Sequence, residues 1–110
     1  MQLLVTVDGS EVGAGLPPEQ AAQIREQLVG PSLEKLAQWE REGRIRGGIL
    51  PGQRAGVWVV EAASPEEVDQ LVASLPYWGV VKMQVQALMP VSGAIERNRL
   101  VSEQQRAAFG

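Results

Sequence analysis

The chain contains no cysteine and no histidine. The first absence removes disulfides, thiolate nucleophiles and cysteine-based zinc sites. The second removes the usual neutral-pH base and the commonest metal ligand, so any acid–base work falls to carboxylates, lysine or tyrosine. Positive charge is also scarce: ten Lys and Arg against thirteen Asp and Glu leave a net charge of −3. A nucleic-acid partner needs a concentrated basic surface and is excluded, since the pairs Arg44/Arg46 and Arg97/Arg99 do not supply one. Long apolar runs are missing too. The opening Met1-Gln2-Leu3-Leu4-Val5-Thr6-Val7-Asp8-Gly9 has only a short hydrophobic stretch and no basic segment before it, so a cytoplasmic protein with no signal peptide and no membrane span is expected. No repeat, low-complexity tract or linker divides the chain.

What is present suffices for a core. A chain of 110 residues, 45% of them hydrophobic, makes one domain able to bury roughly 65% of its unfolded surface. Gln2 to Asp8 reads as a strand. Pro17-Pro18-Glu19 opens a helix, proline suiting a first turn that lacks N–H partners and an acid suiting the dipole there. The helical pattern runs from about Glu19 to Glu42 through Ile24, Leu28, Leu33, Leu36 and Ala37, with Gly30-Pro31 expected to kink or divide it. Gly43 ends it. Arg44 to Leu50 forms a second strand and Ala55 to Ala62 a third. Ser64-Pro65-Glu66-Glu67 is a capping box opening a helix with Val68, Leu71, Val72 and Leu75 on one stripe. Pro76 stops that helix, and a fourth strand runs from Val80 to about Met89.

Two glycine-rich stretches invite a phosphate reading, and neither sustains it. Gly47 to Gly52 has P-loop spacing but continues as Gln53-Arg54 into the strand Val57-Trp58-Val59-Val60, not into Lys-Ser/Thr and a helix. Gly13-x-Gly15-x-x-Pro18 lacks the third glycine of a dinucleotide site, and no parallel βαβ pattern follows. The first stretch is a hairpin with a Pro51-Gly52 turn whose tip can border a ligand site.

The order β-α-β-β-α-β is the split βαβ, or ferredoxin-like, arrangement of four antiparallel strands with both helices on one face. The fold class is thus α+β. In the fourth strand Val81, Met83, Val85, Ala87 and Met89 oppose Lys82, Gln84 and Gln86. The third strand is apolar on both faces. An open face carrying Trp58, Val60 and Leu4 would be a large exposed patch, so a second copy packed sheet to sheet is expected, with a larger ring allowed. Residues 1–91 form the domain; 92–110, with Ile95, Leu100, Val101 and Phe109, form a helical extension expected to pack on a neighbouring subunit.

This order of elements, the block GGILPGQRAGVWVVEAASPEEVDQLVASLPYW and the following VVKMQVQAL resemble the muconolactone delta-isomerase family. The resemblance reaches to about Pro90 and is most specific at Arg41-Glu42-Gly43, Gly52 to Glu61, Ser64-Pro65-Glu66 and Leu75-Pro76. It implies a dimeric α+β barrel protein that shifts a double bond in a small unsaturated lactone acid without a cofactor. Where the family's hairpin carries a histidine just after the glycine and an asparagine slightly further on, this chain has Gln53 and Gly56.

Such a reaction needs a base near a carbon acid, donors for the enolate, and a cation for the substrate carboxylate. Asp8 and Tyr77 are the candidates for moving the proton. Gln53, Arg54, Trp58, Lys82 and Gln84, with Gln86 beside them, are the candidates for binding, all expected around a cleft between subunits. Each has a structural reading as well: Lys82, Gln84 and Gln86 as the polar half of a strand, Gln53 and Arg54 as a solvated turn, Asp8 as a strand cap, Tyr77 and Trp78 as core or interface aromatics. Glu61 can pair with Arg44 or Arg46 across the hairpin. Three functions follow: an isomerase of a small anionic lactone or related acid, a non-catalytic small-ligand binder or oligomerisation module on the same fold, and a cofactor-free oxygenase, haem being disfavoured without an axial histidine.

Overall fold

The computed structural model describes residues 1–109. Its elements are β1 (Gln2–Asp8), α1 (Pro18–Ile24), a π-helical turn (Arg25–Val29), α2 (Gly30–Arg41), β2 (Ile45–Ile49), β3 (Ala55–Glu61), α3 (Pro65–Ala73), a 3-10 turn (Trp78–Val80), β4 (Lys82–Ala87) and α4 (Val91–Phe109). The strands form one antiparallel sheet in the order β2-β3-β1-β4, the ferredoxin-like topology expected from the element order.

Local chemistry accounts for most boundaries. Ser64 accepts a hydrogen bond from the Glu67 N–H at 3.2 Å, while Glu67 reaches back to accept from the Ala63 N–H at 3.0 Å. This pins the start of α3. At the hairpin, Gln53 N–H donates to the Leu50 carbonyl at 3.1 Å around Pro51 and Gly52, whose φ is +76°, the type II turn in which proline and glycine supply the two required backbone conformations. The division of the first helix falls where proline demands it. Pro31 has no N–H to donate, and Gly30 N–H donates to the carbonyl of Arg25, five residues back. The helix is therefore widened by one residue before Pro31.

The core lies between the sheet and the helices. Leu3, Val5 and Val7 of β1 and Trp58 and Val60 of β3 pack against Leu36, Trp39, Val68, Val72, Leu75 and Tyr77. This corrects the expectation that Trp58 and Val60 lie on the open face. The register pairs Val5 with Trp58 and Leu3 with Val60, and residues paired across strands share a face, so both join the buried side of β1. The open face holds Leu4, Thr6, Val57 and Val59, all half-buried, with Arg46, Gln84 and Gln86 exposed around them. β4 begins two residues later than expected because Trp78 to Val80 takes a 3-10 turn. Glu61 pairs with the Met1 ammonium at 3.1 Å, not with Arg44 or Arg46.

Gly47 is a position where only glycine fits. A Cβ there would sit 2.1 Å from the Val57 carbonyl oxygen and 2.6 Å from Trp58 Cα, at a φ of +149°. α4 buries none of its residues. It extends the molecule to 68 Å along its longest axis, with a radius of gyration of 18.9 Å, against about 13 Å for a compact chain of this length.

Candidate active site

A cavity of about 240 Å³ opens between the helix-covered face of the sheet and the first helix. Its floor is Trp58. The indole ring lies over Gly56: a Cβ at position 56 would come within 2.8 Å of the ring and 3.1 Å of Ile49 Cδ1. Glycine at 56 is what lets the ring lie flat in this space. Val7, Val12, Val29 and Val81 complete an apolar wall.

The polar groups of the lining come from three elements: Arg25 from the π-helical turn, Gln53 and Arg54 from the hairpin, and Tyr77 from the segment after α3. Each is placed by a specific backbone interaction. The widened turn sets the phase of Arg25. Gly9 N–H donates to the Arg54 carbonyl at 2.7 Å and ties the hairpin to the end of β1. Ser32, fully buried, accepts from the Tyr77 N–H at 2.9 Å and donates to the Leu28 carbonyl at 2.7 Å, so α2 holds Tyr77 by its backbone.

The electrostatics are one-sided. Neither Arg25 nor Arg54 makes an ion pair among the described residues, and the lining includes no carboxylate. Burial pushes the Tyr77 phenol up to about 12, so at neutral pH it is a hydrogen-bond donor and not a base. The cavity thus presents two cations, a carboxamide and a neutral phenol over an indole surface. This arrangement suits a small organic anion carrying a second acceptor oxygen.

Four of the residues singled out from the sequence meet here: Gln53, Arg54, Trp58 and Tyr77. The others do not join them. Asp8 and Lys82 pair in register at the end of the sheet, and Gln84 pairs with Thr6, on the open face. Asp8 accepts from the Ser10 N–H at 2.8 Å, and this bond holds its carboxyl below the usual range. Lys82 pairs with Glu11 at 3.4 Å. Sequence reasoning missed Arg25 and Ser32. Both flank the Gly30-Pro31 break, which was the available signal: a π-helical turn often marks a functional position.

The model of the family described as muconolactone delta-isomerase matches residues 1–92. The chain belongs to that family. No curated protein matches the chain. Among solved structures, muconolactone isomerase is similar at 24% identity with a TM-score of 0.62, over 82% of this chain and 90% of that one. This likeness supports the fold. The family match ends at the start of α4, which it leaves almost entirely outside. An isomerase-like protein of the muconolactone delta-isomerase family is therefore established, and no helix among the described residues is long and apolar enough to cross a membrane.

Proposed function

We propose that this protein is a cofactor-independent isomerase acting on a small anionic unsaturated lactone or a related acid bound in the cavity above Trp58. One observation carries the reading: an apolar cavity whose polar lining consists of two arginines without counter-charges, an amide and a neutral phenol. Arg25 and Arg54 hold the substrate carboxylate. Gln53 and Tyr77 donate to the lactone carbonyl, and their hydrogen bonds strengthen as proton removal turns that oxygen into an enolate. The base is proposed to be Asp8, at the end of β1 between the lining residues Val7 and Gly9 and kept ionised by the Ser10 N–H. Its carboxyl stands on the opposite side of the strand, so this role requires the end of β1 to turn it to the substrate, where it takes the proton from one carbon and returns it to the other. Gln53 cannot exchange a proton near neutral pH, so muconolactone itself is turned over slowly or not at all. A second copy covers the half-buried Leu4, Thr6, Val57 and Val59.

A second reading, a non-catalytic binder of the same anions, is favoured by the lack of any proton acceptor in the lining and by the position of Asp8 on the opposite face. Incubation of candidate lactone acids with the protein in D2O separates the two. Deuterium incorporation that is lost in Asp8→Asn supports the isomerase. Saturable binding without exchange replaces it with the binder. Rapid isomerisation of muconolactone by the wild type would overturn the role given to Gln53.

A further inference from the structure

We propose that the natural ligand carries an apolar tail, and that this tail lies in a groove continuing from the cavity along α2 and the β2 edge. The proposal rests on the anion site described above. A second cavity, of about 320 Å³, adjoins the first and shares three lining residues with it: Leu33, Ile49 and Trp58. Beyond them it is bounded by Leu36, Ala37 and Ile45. Leu33 and Ile49 are 43% and 55% exposed. Two large apolar side chains on different elements are thus left in water at the junction of the two spaces, where a hydrocarbon chain would cover both.

Charge fixes the orientation. The anion-binding end has Arg25 and Arg54, and the charged residue of the groove is Glu40, which repels a carboxylate placed there. The ligand therefore enters with its acid at the arginines and its hydrocarbon toward Glu40, alongside β2. The substrate class narrows to alkyl-substituted unsaturated lactone acids. The unsubstituted ring acid, which has no tail to place in the groove, is the poorer ligand.

Straight-chain carboxylates from butanoate to octanoate, titrated calorimetrically into the full-length protein, test this directly. Each methylene entering the groove should tighten binding by about fourfold until the groove is filled. Ala37→Trp, an exposed helical position outside the anion site, should fill the groove and abolish the chain-length dependence while leaving butanoate affinity unchanged. Leu33→Gln should reduce it without adding bulk, and Arg54→Gln should weaken the whole series in parallel. If butanoate binds through Arg54 but longer acids bind no tighter, as when a second copy occupies the groove, the tail is refuted and the anion site stands. A chain-length dependence that survives Ala37→Trp also refutes it. If no acid of any length binds, both readings fall.

Discussion

Replacing Ser32 with alanine removes one oxygen from the protein interior and, with it, the link between α2 and the segment carrying Tyr77. Ser32 is fully buried, and its hydroxyl accepts from the Tyr77 N–H at 2.9 Å. In the variant that N–H has no acceptor, and a buried unsatisfied donor costs about 1–3 kcal/mol. The loss of one small atom adds little cavity energy, so about 2 kcal/mol is expected. For a domain of this size that lowers Tm by roughly 8–16 °C. Because Tyr77 lines the cavity, affinity for small carboxylates should fall as well, even at temperatures where the variant is fully folded. Calorimetric melting with binding titrations at 15 °C gives both readouts. A Tm within about 2 °C of wild type would refute the reasoning, since a water or a rearranged backbone would then be satisfying the Tyr77 amide. A large Tm loss with unchanged affinity would leave Ser32 a stability role alone.

Tyr77 is the chain's single tyrosine, so phenolate absorbance near 295 nm reports it without ambiguity: a midpoint near 12 is expected in the folded protein, against an ordinary value near 10 in denaturant. The sign follows from linkage. The unfolded chain loses this proton first, so stability is intact below about pH 10 and declines between about 10 and 12; Tyr77→Phe should remove that decline. Val59→Asp places a charge on the open sheet face and, with a second copy covering that face as proposed, should shift sedimentation toward a folded monomer, whereas Val60→Asp strikes the core and should unfold the chain. Truncation after Pro90 removes α4, which buries no residue within its own chain; it should lower oligomer order while the domain keeps its fold, and an unchanged sedimentation profile would count against packing of α4 on a neighbour.

The fold was legible because its signals are local and strong. Ser64-Pro65-Glu66-Glu67 specifies a helix start by its own hydrogen bonds, and Pro51-Gly52 specifies its turn in the same way. The face of Trp58 was not legible. A strand with valines on one side and Trp58 and Val60 on the other offers two equivalent choices, and only its pairing with β1 decides between them. The candidate site inherited that ambiguity. Gln53, Arg54 and Tyr77 sit on loops or turns beside the helix-covered face and reach the cavity whichever choice is made, whereas Gln84 lies on the opposite side of its strand from Met83 and Val85. Arg25 was hidden differently: on a regular helix it reads as one more solvated charge, and Gly30-Pro31 announces a break without giving the direction in which the widened turn sends Arg25.

That widened turn makes segment length, not composition, the guardian of the cation. One additional residue in a helix of 3.6 residues per turn rotates everything before it by about 100° relative to everything after. The apolar residues of α1 and α2 therefore follow two separate phases joined at Arg25–Val29. Deleting one residue there would restore an unbroken helical phase and carry Arg25 more than a quarter-turn from the cavity, with every other residue of the site still in the chain. A relative differing from this protein by that single gap would keep its fold and lose one of the two arginines that line its cavity.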